Sequence, residues 1–145
     1  MSDDPLTKTF SGTGKYQIDF ILPSDYRSAN QQIYLDLGKV GNIAEVKING
    51  KEAGIVWMRG QKPEVTGVLK SGLNHLEIMV TNTLINRISA MKEPNPVPDY
   101  LIARYGEKDK LKEVPREFGF SPLPAAGLLG PVRLLPSRIV TIPFH

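Results

Sequence analysis

The chain has 145 residues, of which 41% are apolar, 23% charged and 8% aromatic, and its formal net charge is +3. This length and apolar fraction suit one domain with one hydrophobic core, and the longest uncharged apolar run is too short to cross a membrane. Zero cysteines exclude disulfides and thiolate chemistry, and the charges alternate in sign, as over residues 107–113, without forming a basic patch for nucleic acid.

The N-terminus carries no recognisable export signal. Residues 1–5 are acidic and lack the basic-then-apolar order of a signal peptide. The protein therefore either stays inside the cell or is a piece of a longer exported chain. The 13 glycines and 12 prolines exceed the average share and predict many turns between short elements.

Alternating apolar and polar residues predict strands in the first half of the chain. Tyr16, Ile18 and Phe20 alternate with polar residues, which is the pattern of a half-buried strand. Residues 33–37 and 44–48 repeat this pattern. No apolar stripe of helical period precedes residue 82, so the sequence predicts an all-β fold with strands spaced for a sandwich.

A hairpin is predicted around Asn49-Gly50, because both residues tolerate the positive φ of a two-residue turn. The returning strand is predicted over residues 51–57. The expected core face of the hairpin holds four side chains, namely Val46, Ile48, Ile55 and Trp57. Further strands are predicted at 64–69 and 76–80, with a turn at 71–74 between them.

The pattern changes over residues 83–126. Eight of the twelve prolines lie between Pro94 and Pro136, which excludes long regular elements there. We expect a long loop with a short helical turn near residues 84–91, followed by a strand at 131–135. An edge strand at 138–143 is also predicted.

Four sequence blocks carry a resemblance to the sugar-binding domain of glycoside hydrolase family 2. They occur in the family's order, at residues 14–38, 44–54, 65–82 and 127–134. With Asn86-Arg87 after Thr81-Asn82, the chain is most similar to the C-terminal domain of bacterial α-L-rhamnosidase-like hydrolases.

This resemblance implies a galactose-binding-like jelly-roll β-sandwich that is attached to a catalytic barrel elsewhere. We therefore expect one sandwich domain over residues 1–145, with the long Pro-rich loop at 83–126 inserted before the last strand. It further implies a secreted or periplasmic location, as part of a larger bacterial enzyme.

Trp57 and Arg59 are the first candidate ligand-binding residues. Trp57 is the only tryptophan, and a sugar ring stacks its apolar face on an indole; the alternative is a tryptophan of the core or rim. The Arg59 guanidinium is a planar donor suited to hydroxyls or to a uronate carboxylate.

Four further candidates lie at the start of the long loop and within it. Asn82, Asn86 and Arg87 are also planar donors, but Asn82 alternatively caps its strand and Arg87 alternatively holds the loop in place. Tyr100 is either a pocket wall or a packing residue of the loop.

Catalytic and metal chemistry find little support in the sequence. Glycoside hydrolysis needs two carboxylates that flank the bond, whereas the strand carboxylates occupy outward positions that are typical of a solvated face: Asp19, Asp36, Glu45 and Glu77. Neither His75 nor the terminal His145 suits a Ser-His-Asp triad. We predict no catalytic residue, no metal ligand and no cofactor, but leave open a structural calcium held by backbone carbonyls, which a sequence does not reveal.

The sequence thus predicts a non-catalytic accessory domain of a carbohydrate-active glycoside hydrolase. It either binds carbohydrate weakly or packs on a catalytic domain to shape its cleft. Its partners are accordingly carbohydrate and that catalytic domain, with neither nucleic acid nor a membrane. The alternative is a purely structural or interaction sandwich without sugar affinity, which predicts an exposed apolar patch. A free-standing enzyme is the third hypothesis.

Overall fold

The computed structural model describes residues 9–26, 30–89, 99–105 and 125–143 of the chain. The strands within these ranges are β1 (Thr13–Leu22), β2 (Gln31–Asp36), β3 (Lys39–Gly41), β4 (Ile43–Ile48), β5 (Lys51–Val56), β6 (Gly72–Thr81), β7 (Gly127–Gly130) and β8 (Arg133–Arg138). The helical segments there are a 3-10 turn (Ser24–Tyr26), α1 (Ile85–Ser89) and α2 (Asp99–Tyr105).

The strands form two layers. Four antiparallel strands make one sheet in the order β1-β6-β4-β5, while β2 pairs with β8 and β3 with β7. The core between the layers holds Ile33 and Leu35 of β2 together with Val46, Ile48 and Ile78 of the four-stranded sheet. The predicted all-β sandwich is confirmed.

The β4–β5 hairpin contains one extra residue in β5. Lys47 pairs with Glu52, but Val46 pairs with Gly54, so Ala53 is the additional residue. Gly54 has a φ of 132°, a conformation that L side chains rarely adopt. A glycine inside a strand pattern is the sequence sign of such a bulge.

This bulge decides which side chains of β5 reach the core. One extra residue moves every later side chain to the opposite face of the sheet. Val56 is therefore buried with Val46, whereas Ile55 is 54% exposed and Trp57 is 63% exposed. The prediction that Ile55 and Trp57 share the core face of Val46 and Ile48 is wrong for this reason.

Residues 64–69 form a turn, where a strand was predicted. Glu64 makes an isolated bridge to β2, and the backbone N–H groups of Val68 and Leu69 both donate to the Val65 carbonyl, at 3.1 and 3.2 Å. Two consecutive N–H groups that point back along the chain are unavailable to a neighbouring strand.

The last strand begins later and runs further than the sequence indicated. A strand at 131–135 was predicted, and β8 spans Arg133–Arg138. The predicted edge strand at 138–143 is wrong, since residues 139–143 follow β8 without strand pairing.

The described residues divide into two compact units. The first holds residues 12–82 and 125–143, which include the whole sandwich. The second holds residues 9–11, 83–89 and 99–105. In the second unit, the Ser11 hydroxyl donates to the Thr83 carbonyl at 2.9 Å and accepts the Arg87 backbone N–H at 3.2 Å. The helical turn predicted near 84–91 is present as α1, whereas most of the predicted loop lies outside the described residues.

Candidate functional site

The loop after β5 presents three consecutive exposed side chains, Trp57, Met58 and Arg59. The Gln61 side-chain oxygen accepts the backbone N–H groups of Trp57 and Met58 at 3.2 and 3.4 Å, and the Gln61 N–H donates to the Met58 carbonyl at 3.3 Å. These bonds hold the backbone that carries the indole. Trp57 is thus an exposed aromatic on an ordered loop, and its alternative role as a core tryptophan is excluded.

Two exposed isoleucines lie near this end of the four-stranded sheet. Ile55 pairs with Glu45, and Ile43 lies two residues before Glu45 on the same strand, so both isoleucines face outwards. With Trp57 and Met58 they make an exposed apolar group, which we call the outer patch: Ile43, Ile55, Trp57 and Met58. The outer patch is thus apolar surface that the described part of the first unit leaves exposed.

Asn82 is engaged with the backbone at the start of β1. Its side-chain oxygen accepts the Gly12 N–H at 2.7 Å, and its own N–H donates to the Gly12 carbonyl at 3.1 Å. This reciprocal pairing fits the strand-capping alternative for Asn82, because it satisfies backbone groups where the β1–β6 ladder ends.

The other predicted binding residues occupy the two helices. Asn86 on α1 is buried, its neighbour Arg87 is exposed, and Tyr100 on α2 is exposed. Of the six predicted residues, the first unit holds Trp57, Arg59 and Asn82, and the second unit holds Asn86, Arg87 and Tyr100. The structure thus brings Trp57 and Arg59 together on one loop.

The outward carboxylates of β1 and β6 are paired with basic groups. Glu77 lies 2.6 Å from the Lys15 ammonium, which holds the pKa of Glu77 below its ordinary value. Asp19 contacts the His75 ring at 2.5 Å. A general acid needs a raised pKa, so the ionised Glu77 is unsuited to that role.

Asp36 on β2 is likewise held ionised. Its carboxylate accepts the Gly38 backbone N–H at 2.9 Å and lies 3.4 Å from the Lys62 ammonium. The backbone hydrogen bond is the main cause, with Lys62 assisting, of a pKa of Asp36 below its ordinary value.

A groove of about 380 Å³ opens between β1 and β8, and sequence reasoning missed it. We call it the seam groove; its lining includes Ile18, Phe20, Tyr26, Val132 and Arg133. The available signal was the run 20–23, where consecutive apolar residues replace the alternation of β1. Such a run marks a strand end that is apolar on both faces.

Metal and membrane features are both lacking across the described ranges. Residues 9–26, 30–89, 99–105 and 125–143 contain no cluster of three or more His, Cys, Asp or Glu that is placed to hold a metal ion. In the same ranges, no helix is long and apolar enough to cross a membrane.

Comparison with known proteins relates the chain to glycoside hydrolases. A protein of Formosa agariphila that is named as a β-glucuronidase is 35% identical over an alignment of 141 positions, which covers 88% of this chain and 12% of that protein. The solved structure of a rhamnosidase from Novosphingobium sp. PP1Y matches with a TM-score of 0.68 and 29% identity, over 94% of this chain and 12% of the rhamnosidase chain. No protein-family model matches the chain.

The chain is similar to a segment of glycoside hydrolases. It spans about an eighth of the length of each of these two relatives, while nearly its whole length is used in the match. The similarity therefore concerns one sandwich-forming segment, in agreement with the glycoside-hydrolase resemblance seen in the sequence.

Proposed function

We propose that this chain is a non-catalytic accessory domain of a larger, secreted or periplasmic bacterial glycoside hydrolase. The observation that carries this proposal is the asymmetric match, which takes in 88% and 94% of this chain but only 12% of each relative. A segment that recurs in two proteins named for different sugars fits an attached module better than a substrate-specific catalytic centre. The four sequence blocks at residues 14–38, 44–54, 65–82 and 127–134 support the further proposal that the sandwich is a galactose-binding-like jelly roll.

The non-catalytic role is supported by the electrostatics of the carboxylates. Glu77 and Asp36 are both stabilised in the ionised form by a lysine or by a backbone N–H. Glycoside hydrolysis requires one carboxyl whose pKa is raised, so that it donates a proton to the leaving oxygen. Neither group meets this requirement.

Weak carbohydrate binding at the loop after β5 is the more specific part of the proposal. Trp57 offers an exposed ring on a hydrogen-bonded loop, and Arg59 lies two residues further along the same turn. A sugar would stack on the indole while its hydroxyls or a uronate carboxylate bond the guanidinium. Because water competes for those hydroxyls, we expect a Kd of about 1 mM or weaker.

Calorimetric titration of the protein with a sugar panel that includes L-rhamnose and D-glucuronic acid tests this binding. Trp57→Ala should weaken binding about tenfold or abolish it, whereas Met58→Ala, which truncates the adjacent exposed side chain, should leave most of it. Flat titrations across the whole panel, or equal losses in both variants, would contradict sugar binding at Trp57.

A second candidate is an interaction sandwich without sugar affinity, which packs on a catalytic domain. The outer patch favours this second candidate. Ile55 is a large apolar side chain that is exposed on the outward face of the sheet, so it does not contribute to the core of the first unit. Without a partner domain the patch should cause concentration-dependent self-association, detectable by sedimentation. Ile55→Asp should then restore the monomer, whereas a chain that is monomeric at every concentration would contradict this candidate.

A further inference from the structure

The outward side chains of β1 and β6 form a continuous row of polar contacts, which we call the polar row: Lys15, Glu77, Gln17, His75 and Asp19. The Glu77 carboxylate lies 2.6 Å from the Lys15 ammonium and 3.1 Å from the Gln17 side-chain nitrogen. That nitrogen also lies 3.3 Å from Nε2 of His75, whose Nδ1 contacts the Asp19 carboxylate at 2.5 Å. The strand register places Gln17 opposite Glu77 and Asp19 opposite His75, so the backbone ladder holds the row together.

The ionised Glu77 carboxylate determines the direction of the hydrogen bonds in the polar row. Lys15 holds the pKa of Glu77 below its ordinary value, so the carboxylate is ionised and accepts hydrogen bonds. Gln17 must then present its NH2 group to Glu77, because an amide nitrogen only donates. The same NH2 group reaches Nε2 of His75, which accepts and therefore carries no proton. The proton of the neutral ring is thus on Nδ1, where it is donated to Asp19.

We propose that protonation of His75 reverses the Gln17 amide and so passes a change of pH along the polar row to Glu77. A proton taken up from water binds to Nε2, and two donors then face each other. Half a turn of the amide brings its carbonyl oxygen to the new N–H group. The same turn places an oxygen against the Glu77 carboxylate, so the hydrogen bond between Gln17 and Glu77 breaks.

The other charged groups on this face of the sheet leave the amide as the link between His75 and Glu77. Among the described residues, they are Glu45 and Lys47 on β4 and Glu52 on β5. The His75 ring makes its hydrogen bonds within the polar row and to none of these three. Lys47 lies opposite Glu77 and attracts its carboxylate, so the oxygen that Gln17 releases has a second cation nearby.

The switch makes the β1–β6 half of the sheet face responsive to pH. Histidine is the side chain whose charge ordinarily changes between about pH 5 and 8. When His75 is protonated, the face gains a positive charge and exposes a carboxylate oxygen that Gln17 covers in the neutral form. Any molecule that binds against these two strands then meets a different pattern of donors and acceptors. The switch stands independently of the carbohydrate proposal, which concerns the loop that carries Trp57.

An NMR titration of the isotope-labelled protein from about pH 8 to about pH 5 tests the proposal. At the upper pH, the ring nitrogen shifts of His75 should show the proton on Nδ1. As the ring gains its second proton, the Gln17 side-chain amide and the Glu77 carboxyl signals should change with the same midpoint. The Gln32 amide is the internal control, because its oxygen accepts the Tyr34 hydroxyl at 2.9 Å on the other layer, and its signal should stay constant.

Two variants separate the amide from a direct effect of the ring charge. Gln17→Val removes the amide and keeps a side chain that suits a strand. The His75 ring should still titrate in this variant, but the change in the Glu77 signal at that midpoint should fall by at least about half, because only the charge of the ring remains to act on it. His75→Asn should remove the transition at Gln17 and Glu77 altogether, which excludes His145 as its source.

Several outcomes would overturn the proposal. A proton on Nε2 of the neutral His75 ring would do so, as would a Gln17 amide signal that is as constant as that of Gln32. An equal response of Glu77 in the unaltered protein and in Gln17→Val would also contradict it, because the charge of the ring alone would then account for the change.

Discussion

The two long sides of the sandwich differ in whether a further described segment covers them. On the β5 side, residues 61–70 run along β2 and complete the layer that faces the four-stranded sheet. On the β1 side no described segment does the same, and the seam groove lies open there. Within the part of the chain that the structure describes, one side is therefore closed by backbone hydrogen bonds and the other presents accessible apolar surface.

Residues 61–70, which we call the closing segment, are attached to β2 at successive points. The Leu35 N–H donates to the Pro63 carbonyl at 2.9 Å, and the Val65 N–H donates to the Ile33 carbonyl at 2.8 Å. The Ile33 N–H in turn donates to the Thr66 hydroxyl at 2.8 Å. These bonds satisfy the edge of β2 as a strand would, although residues 64–69 are not a strand.

This contrast separates residues that build the fold from residues that offer a surface. Ile33 of β2, which is bonded to the closing segment, is fully buried, whereas Ile18 points towards the opposite layer and remains mostly exposed. Side chains of the closed side should therefore determine stability, and side chains of the open side should contribute little to it. Substitutions test that division, and the largest loss is expected on the closed side.

Asn74→Asp should have the largest effect, because Asn74 anchors the end of the closing segment. The buried Asn74 amide donates to the Lys70 and Gly72 carbonyls at 2.7 and 2.9 Å and accepts from the Lys70 N–H and the Asn49 amide. A carboxylate would lose both donated bonds and bury a charge. We expect a loss of about 4 kcal/mol in the free energy of unfolding, measured by urea denaturation.

The Asn74→Asp result has a simple internal control. Ser71→Asp introduces the same charge at an exposed position three residues away. It should alter stability by less than about 0.5 kcal/mol. Equal losses in the two variants would mean that Asn74 does not anchor the segment.

Shortening one side chain on the closed side and one on the open side compares their contributions to stability directly. Ile33→Ala should cost about 3 kcal/mol, because it leaves a cavity in the core. Ile18→Ala should cost less than about 1 kcal/mol, since most of that side chain already contacts water. Chemical denaturation measures both, and a loss for Ile18→Ala as large as that for Ile33→Ala would show that the β1 side is closed in solution.

Gly54→Ala should disturb the contact between β5 and the closing segment. A methyl group there would lie 2.8 Å from the Pro63 Cβ, at a backbone φ of 132°. We expect a loss of about 2 kcal/mol in unfolding free energy. Gly50→Ala, also at a positive φ of 78° but with no atom within 4 Å, should lose only about 1 kcal/mol. Equal losses of unfolding free energy in the two variants would mean that the Pro63 contact does not contribute to the effect of Gly54→Ala.

The smallest effect concerns the ion pair between β2 and the closing segment. Because the Asp36 pKa is lowered in the fold, the carboxylate stabilises the protein above its unfolded pKa, and this contribution is lost as the pH falls through the folded pKa. Asp36→Asn can still accept the Gly38 N–H but carries no charge. The stability lost between pH 7 and pH 3 should therefore shrink by up to about 1 kcal/mol.

Thermal denaturation across this pH range checks the Asp36 prediction. Glu64→Gln removes an exposed carboxyl from the same closing segment and serves as the comparison. An equal or greater reduction in the pH dependence of Glu64→Gln would assign the effect to general charge rather than to the Asp36 site.

Sequence patterns predicted the longer strands β1, β2, β4, β5 and β6, but not the short strands β3 and β7 or the face that each strand presents. The alternation of β1, β2, β4 and β6 and the turn at Asn49-Gly50 are local features, which a sequence expresses directly. The bulge at Ala53 was not anticipated, although Gly54 signalled it, and it reversed the expected positions of Ile55 and Trp57. A single added residue changes all later orientations without altering composition.

The candidate surfaces likewise differ in whether the sequence predicts them. Trp57 and Arg59 were predicted from residue chemistry alone, and they lie on one loop because only one residue separates them in the sequence. The seam groove depends on β1 and β8 lying opposite each other, and its lining residues Ile18 and Val132 are more than 100 positions apart in the sequence. Such a placement is decided by the whole topology and leaves no periodic signal near either strand.

Hydroxyl-radical footprinting with a mass-spectrometric readout tests the division between the two sides most directly. Ile18, which is 60% exposed, should be oxidised readily, whereas the buried Ile33 and Val65 should remain unmodified. Protection of Ile18 as complete as that of Ile33 would contradict the assignment of the β1 side as accessible apolar surface.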